Sequence, residues 1–138
     1  MEKVNILLLL IPKAKVSCLV ETMNVRQALE KMRANGYMAV PLISKNGEYL
    51  GTISEGDLLW RIVEDDDIDL EELEEVNIKE LVREEYTPPL KVDATMDQII
   101  NMITEQNFIP VVDDRNILMG IVTRRRVLQQ LLGNDKAL

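Results

Sequence analysis

Apolar positions recur in the same order twice along the chain. Each half has four apolar residues spaced i, i+3, i+4 and i+7, the spacing of one helix face. At a constant offset of 71, Val25, Ala28, Leu29 and Met32 match Met96, Ile99, Ile100 and Ile103. At an offset of 69, the matched positions are Pro41, Gly51, Ser54, Leu58, Leu59, Ile62 and Val63 with Pro110, Gly120, Thr123, Val127, Leu128, Leu131 and Leu132. Such repetition indicates one supersecondary unit used twice.

The pattern predicts the same elements in each repeat: a short leading strand, a helix, two strands and a second helix. A hairpin turn joins the two central strands, at Asn46-Gly47 and at Arg115-Asn116, because Gly and Asn tolerate positive φ. The predicted strands are 16–20, 40–43 and 49–54, then 90–92, 110–112 and 118–123. We therefore expect an α/β fold of the α+β kind, in which each repeat is a small sheet with two helices.

Signals for helix ends flank the first helix of each repeat. Gly36 and Asn107 are predicted to end these helices, since both residue types adopt the left-handed conformation of a helix cap. The starts are predicted from two capping-box spacings, Asn24 with Gln27 and Thr95 with Gln98.

Three segments lie outside this pattern. Residues 6–11 are an apolar run ended by Pro12, which we interpret as a buried strand because it is too short to span a bilayer. An acidic segment (64–75) and a short helix (78–84) are predicted between the repeats. The expected domains are 1–68 for repeat one with its N-terminal strand, 69–85 for the linker, and 86–138 for repeat two. Because two units of about 60 residues would each be marginal alone, we expect one shared core.

Charge is concentrated in the linker. The net charge is −8, yet residues 64–75 hold nine acids and no base, which leaves 15 acids against 16 bases elsewhere. A chain without a basic face is not expected to bind nucleic acid. Neither a membrane segment nor a secretory signal is evident, so we expect a cytoplasmic protein. The role of the acidic segment stays open between a solvated surface and a specific contact.

Composition argues against catalysis. The chain has no histidine and one cysteine, so imidazole acid–base chemistry, Cys/His nucleophilic pairs and His/Cys metal sites are absent. We predict no catalytic residue, no metal site and no obligatory cofactor. Cys18 lies in an apolar stretch and is interpreted as a small buried side chain.

Two segments in register resemble one known family. They are Pro41-Leu42-Ile43 with Gly51-Thr52-Ile53-Ser54-Glu55-Gly56-Asp57-Leu58, and Pro110-Val111-Val112-Asp113 with Gly120-Ile121-Val122-Thr123-Arg124-Arg125-Arg126-Val127. The arrangement resembles the CBS domain, used in tandem as a CBS pair or Bateman module, and here as a stand-alone pair. The resemblance implies two pseudo-two-fold repeats in one compact module, with an adenine nucleotide in the cleft between them and a homodimer formed through helices.

The first strand-to-helix junction supports two interpretations. A helix start suits phosphate, Ser54 can donate a hydroxyl hydrogen bond, and Asp57 can accept from ribose. Ser54 with Asp57 is also a capping box that needs no ligand. By resemblance, further residues would contact the nucleotide beside these two, namely Tyr37, Met38, Ala39, Pro41 and Glu55.

The second junction carries three arginines in its first helical turn. Cations there oppose the helix dipole by roughly 0.3–1 kcal/mol each, and a bound anion, linker carboxylates or solvation could relieve this cost. Some stand-alone CBS pairs with Thr-Arg-Arg at this point bind cyclic di-AMP, although Arg126 replaces the family's Asp. The residues expected to bind nucleotide here are Ile109, Pro110, Thr123, Arg124, Arg125 and Arg126.

The sequence thus predicts a non-enzymatic regulatory protein that senses AMP, ADP, ATP or cyclic di-AMP and signals to an effector protein. The alternative is a dimeric interaction module with the same fold and no ligand. The choice of nucleotide stays open from the sequence, as does the number of occupied sites.

Overall fold

The computed structural model describes residues 5–35, 38–64, 70–82 and 87–133. The chain divides into two units, which we name for the repeat each contains. The repeat 1 unit is Ser17–Tyr86, and the repeat 2 unit combines Met1–Val16 with Thr87–Leu138. The predicted boundaries placed the N-terminal segment with repeat one, whereas the structure groups it with repeat two. The reason is strand pairing: β1 (Ile11–Pro12) pairs antiparallel with β7 (Leu118–Thr123).

The repeat 1 unit contains a three-stranded sheet in the order β2 (Leu19–Val20), β3 (Ala39–Ile43) and β4 (Tyr49–Ser54). Its strands β2 and β3 are parallel, and β3 and β4 form an antiparallel hairpin. Its elements are β2 (Leu19–Val20), α1 (Val25–Asn35), β3 (Ala39–Ile43), β4 (Tyr49–Ser54), α2 (Glu55–Glu64), α3 (Leu70–Leu73) and a 3-10 helix over Ile78–Leu81.

The repeat 2 unit has the same core hairpin with one additional strand, in the order β1, β7, β6 (Phe108–Val112) and β5 (Leu90–Lys91). The strand β5 is parallel to β6, and β6 and β7 are antiparallel. Its elements are a 3-10 helix over Ile6–Leu8, β1, a 3-10 helix over Lys13–Lys15, β5 (Leu90–Lys91), α4 (Met96–Ile103), β6 (Phe108–Val112), β7 and α5 (Arg124–Leu131). Within the described ranges, no helix is long and apolar enough to cross a membrane.

The predicted capping boxes are confirmed at both first helices. The amide of Gln27 donates to Asn24 Oδ1 over 2.8 Å, and the amide of Asn24 donates to Gln27 Oε1 over 2.9 Å. Thr95 and Gln98 make the same reciprocal pair at the start of α4. Each box satisfies amide groups that a helix start leaves without an internal partner.

Both hairpin turns are confirmed, with positive φ where the sequence supplies Gly or Asn. Gly47 has φ 90° and Asn116 has φ 66°. Each turn is closed by one backbone hydrogen bond of 3.0 Å, from Gly47 to Ser44 and from Asn116 to Asp113. The register irregularity also falls at the equivalent place in both hairpins, next to Leu42 and next to Val111.

Four local predictions differ from the structure. Residues 6–11 are not one strand: Ile6–Leu8 is a 3-10 helix started by the Asn5 side chain, and only Ile11 joins a sheet. The helix expected over 78–84 is a 3-10 helix over Ile78–Leu81. The leading strands are two residues long. The second repeat's first helix ends at Ile103, so Asn107 is not its cap, and Gly36 lies outside the described residues.

The buried apolar side chains form two clusters, one in each unit, where a single shared core was expected. The repeat 1 cluster includes Leu73 and Ile78 from the linker. The repeat 2 cluster includes Ile6 and Leu9 from the N-terminal segment. Each repeat is therefore completed by a segment outside it, which adds the apolar area that a unit of this size needs. Cys18 is buried, as predicted.

Candidate functional site

The β4–α2 junction is held by hydrogen bonds between Ser54 and Asp57. The Asp57 Oδ2 atom accepts from the Ser54 amide over 2.8 Å and from the Ser54 hydroxyl over 2.9 Å. The Asp57 amide donates to Ser54 Oγ over 3.2 Å. Asp57 is 8% exposed, so the carboxylate is fixed in position before any ligand arrives. The capping-box interpretation is confirmed, and it orients the two side chains that were predicted to meet phosphate and ribose.

The β7–α5 junction keeps only half of this arrangement. Thr123 Oγ1 accepts from the Arg126 amide over 3.2 Å, as Ser54 does in the first repeat. Arg126 occupies the place of Asp57, so the reciprocal carboxylate is missing. The first turn of α5 contains no acidic residue. This junction therefore concentrates positive charge where the helix dipole is also positive.

The three arginines differ in how they are held. The Nε atom of Arg124 donates to the carbonyl oxygen of Ile103 over 2.6 Å, which anchors its guanidinium. Arg125 is exposed and Arg126 is half-buried. Among the described residues of the repeat 2 unit, no carboxylate lies within ion-pair distance of any of the three.

The backbone amides at the two junctions are partly occupied. The amide of Glu55 donates to the Met38 carbonyl over 2.8 Å, and the amide of Arg124 donates to the Asn107 carbonyl over 2.8 Å. The third amide of each helix serves the capping hydroxyl. The second amide, at Gly56 and at Arg125, has no hydrogen-bond partner among the described residues. Only the Gly56 and Arg125 amides remain to donate to a phosphate, which is fewer than an uncapped helix start would provide.

Several residues predicted from the first repeat lie together. Ala39 is the register partner of Ser54, and Met38, which is 68% exposed, contacts Glu55 through its carbonyl. Pro41 is buried in the middle of β3, so its side chain is remote from solvent. Tyr37 lies outside the described residues. The first junction thus brings together the residues Met38, Ala39, Ser54, Glu55 and Asp57.

In the second repeat, the two predicted strand residues lie inside the unit. Ile109 and Pro110 are buried in β6, and Ile109 is fully enclosed in the repeat 2 core. The residues that correspond to Met38 and Ala39 are Asn107, which contacts Arg124, and Phe108, the register partner of Thr123. Neither residue was among those predicted from the sequence to contact a nucleotide. The signal was present, because the offset of 69 that aligns the prolines also aligns these positions.

A pocket lies beside each junction, on the helical side of its own unit. The repeat 1 pocket has a volume of about 650 Å³ and the repeat 2 pocket about 470 Å³. Arg33, Glu55 and Gly56 line the first, so that it has one charge of each sign, while Arg124 and Arg125 line the second. Equivalent surfaces therefore differ in charge. No group of three or more potential metal-ligating side chains was found among the described residues.

Comparison with known proteins agrees with this duplicated architecture. The family model for the CBS domain matches residues 11–64 and 78–133. Cyclic di-AMP receptor B of Bacillus subtilis (strain 168) is 26% identical over 108 residues, which cover 78% of this chain and 73% of that protein.

Two solved structures are similar over almost the whole chain. CbpB in complex with c-di-AMP has a TM-score of 0.86 and 28% identity, covering 97% of this chain and 88% of that one. The CbpB protein of Listeria monocytogenes in complex with c-di-AMP has a TM-score of 0.81 and 26% identity, covering 94% of this chain and 96% of that one. The two family matches together span well over half of the sequence, so the chain belongs to the CBS domain family as a tandem CBS pair.

Proposed function

We propose that this protein is a non-enzymatic receptor for an adenine nucleotide, with cyclic di-AMP as the first ligand to test. The observation that carries the proposal is the second junction, where Thr123 is followed by three arginines without a reciprocal acid. Cations at a helix start are unfavourable in the free protein, and a phosphate removes that cost. Three relatives whose names or structures carry cyclic di-AMP support this choice of ligand.

Each arginine has a distinct role in this proposal. Arg124 is positioned by Ile103 through Nε, so its two terminal nitrogen atoms can face a phosphate with little loss of conformational freedom. Arg125 is exposed and adapts to the ligand, and its backbone amide can donate as well. Arg126 supplies a further charge in the place where the first repeat has Asp57. A ligand with two phosphates would use this set better than a nucleoside monophosphate.

The first junction suits the sugar of a nucleotide. The carboxylate of Asp57 is fixed by Ser54, and the two oxygens of a carboxylate together accept about four hydrogen bonds. Carboxylate oxygens are acceptors of the kind that ribose hydroxyls use, and in this proposal Asp57 meets the sugar. The exposed Met38 side chain provides an apolar, polarisable surface for a base.

Exposed apolar side chains on the second helix of each repeat support a protein partner. They are Leu59, Trp60 and Val63 on α2, and Leu128 and Leu131 on α5. Large exposed apolar patches on a folded protein commonly mark protein interfaces. We propose that they serve a homodimer, and that a separate effector protein responds to nucleotide binding. The same faces are what a ligand-free interaction module would use, so the ligand test decides between the two functions.

The test is thermal unfolding with AMP, ADP, ATP and cyclic di-AMP, each added separately. A ligand that binds only the folded state adds about 2.7 kcal/mol at 100 times its Kd. The Arg125→Ala variant should lose most of the shift, whereas Arg115→Ala, which changes an exposed arginine in the β6–β7 turn of the same unit, should retain it. If none of the four nucleotides raises the unfolding temperature of the wild-type protein, the receptor proposal fails and the interaction module is favoured.

A further inference from the structure

The second helices of the two repeats carry matching rows of exposed side chains. Positions 55, 59 and 63 of α2 are equivalent, at the offset of 69, to positions 124 and 128 of α5 and to position 132, its C-cap. Residues four apart lie on the same face of a helix. The apolar members of the rows are Leu59 and Val63 in repeat one and Leu128 and Leu132 in repeat two, each at least 47% exposed. Exposed apolar rows of this kind commonly mark a protein interface.

The first residue of each row has opposite charge in the two repeats. Glu55 begins the row on α2, and Arg124 begins the row on α5. The repeat 1 pocket is lined by Glu55 and Arg33, so its charges balance, whereas the repeat 2 pocket is lined by Arg124 and Arg125 without an acid. Each pocket also includes the leucine at the second position of its row. Row and pocket therefore form one surface on each unit, which we name the repeat 1 face and the repeat 2 face.

The charges of the two faces determine which of them can pair. Two repeat 2 faces in contact would bring four arginines together, with no carboxylate among the residues that line their pockets. Like charges placed opposite one another oppose association. A repeat 1 face in contact with a repeat 2 face supplies the carboxylate of Glu55 instead. Arg125 is the residue that lacks a partner for its charge, because Arg124 already donates to the carbonyl oxygen of Ile103. Since the chain has both kinds of face, a second copy provides the complement of each.

We infer that two copies of this chain associate through unlike faces, with the repeat 1 face of one copy on the repeat 2 face of the other. The inference rests on the homodimer in the proposed function and adds which surfaces meet. The two apolar rows pack against each other, and Glu55 forms an ion pair with Arg125 of the partner subunit. The charge pattern thereby selects one arrangement of the dimer over the pairing of equal repeats, which the apolar rows alone would also permit.

The experiment reverses these charges and measures dimerisation of the full chain by analytical ultracentrifugation. Nucleotide is omitted, because Arg125 is also the residue proposed to meet a phosphate. Glu55→Arg and Arg125→Glu each place like charges opposite one another, so each should raise the dimer dissociation constant by at least about ten-fold. Mixing the two single variants in equal amounts should restore dimers, because the introduced arginine then faces the introduced glutamate. The double variant should dimerise within about three-fold of the wild type for the same reason.

Two further variants make the same charge changes at exposed positions that line neither pocket. They are Glu71→Arg on α3 and Arg115→Glu in the β6–β7 turn. Both should leave the dimer dissociation constant unchanged. Circular dichroism of every variant checks that the helices are retained, so that a loss of dimers is not a loss of fold.

Pairing of equal repeats would give a different pattern of results. Arg125→Glu would then strengthen the dimer, because it relieves repulsion between two repeat 2 faces, and the mixture of single variants would show no recovery. Either result, or unchanged dissociation constants in both single variants, would overturn the inference while the homodimer itself would stand. A wild-type protein that stays monomeric would overturn the homodimer and this inference together. The nucleotide part of the proposed function is decided separately by thermal unfolding with each ligand.

Discussion

The guanidinium of Arg124 donates through Nε to the carbonyl oxygen of Ile103, 2.6 Å away. Ile103 is the last residue of α4, and Arg124 is the first residue of α5. The carbonyl groups at a helix end lack partners within the helix and carry partial negative charge. The charge of Arg124 therefore destabilises the start of α5 and stabilises the end of α4. Through this contact Arg124 stabilises the fold, whereas Arg125 and Arg126 make no such hydrogen bond.

Arg124→Ala is therefore expected to lower the free energy of unfolding by about 1.5–3 kcal/mol, the range for a hydrogen bond that involves a charged group. Arg125→Ala, a neighbouring exposed arginine, should change it by less than about 0.5 kcal/mol. Urea unfolding followed by circular dichroism measures both. Equal effects of the two substitutions would show that the contact with Ile103 contributes nothing to stability.

Arg126→Asp is expected to raise stability and lower affinity for the ligand. The substitution restores the acid that completes the capping box in the first repeat, and it replaces an unfavourable charge at the start of α5. The expected gain is about 1 kcal/mol in unfolding free energy. Cyclic di-AMP binding should weaken, because the site loses one cation and gains an anion. Denaturant unfolding measures the stability, and calorimetric titration measures the affinity for cyclic di-AMP. Higher stability together with higher affinity would contradict the prediction.

The apolar face of α2 gives a test of the proposed dimer. Leu59→Glu should shift the protein towards monomer in analytical ultracentrifugation, since a charge would be buried in the interface. Trp60, the single tryptophan, is 64% exposed, and its emission should move to longer wavelength as the dimer dissociates. Leu8→Glu is the matched control, because Leu8 is also exposed and lies in the N-terminal 3-10 helix. A wild-type protein that sediments as a monomer at all concentrations would exclude the dimer.

Local patterns predicted most of the fold because their causes are local. Helical spacing, capping boxes and Gly or Asn turns each depend on residues a few positions apart, and the structure has them where they were predicted. The N-terminal segment was predicted incorrectly because its conformation depends on a distant partner: Ile11 pairs with Ile121. A run of six apolar residues carries no information about that pairing, and periodicity alone does not separate a short buried strand from a short helix.

The site was predicted less completely than the fold. Ser54 and Asp57 were identified because their spacing is itself a motif, and the structure confirms the capping half of that interpretation. The anchoring of Arg124 by Ile103 joins residues 21 positions apart, so no local pattern could predict it.

Gly120 is required by the close approach of β1. A Cβ atom at this position would overlap the carbonyl oxygen of Ile11. Gly120→Ala should therefore separate the two strands and cost about 1–3 kcal/mol, as overpacking does elsewhere. Gly56→Ala is the control: its Cβ would lie in ordinary contact at 3.6 Å from Ser54 Oγ, and alanine favours a helix by about 0.5–1 kcal/mol. In thermal unfolding, the unfolding temperature of Gly56→Ala should be higher than that of the wild type, and that of Gly120→Ala should be lower.

Tyr49 and Thr52 form a buried hydroxyl pair, with 2.8 Å between Tyr49 Oη and Thr52 Oγ1. Burial raises the pKa of Tyr49 to about 12, although the hydrogen bond from Thr52 acts in the opposite direction. An unfolded chain would release this proton near its ordinary pKa of about 10. Between these two values the folded state holds a proton that the unfolded state has lost.

Stability is therefore expected to fall as the pH rises from about 10 to about 12, by up to about 3 kcal/mol from this residue. Below pH 10 the contribution is fully present, because both states are protonated. Tyr49→Phe should remove this part of the pH dependence, yet it costs about 1–3 kcal/mol at pH 7 because the Thr52 hydroxyl stays buried without its partner. Adding Thr52→Val should recover most of that loss. Urea unfolding of the three proteins at pH 7, 9 and 11 measures these differences, and a wild-type slope identical to that of Tyr49→Phe would refute the assignment.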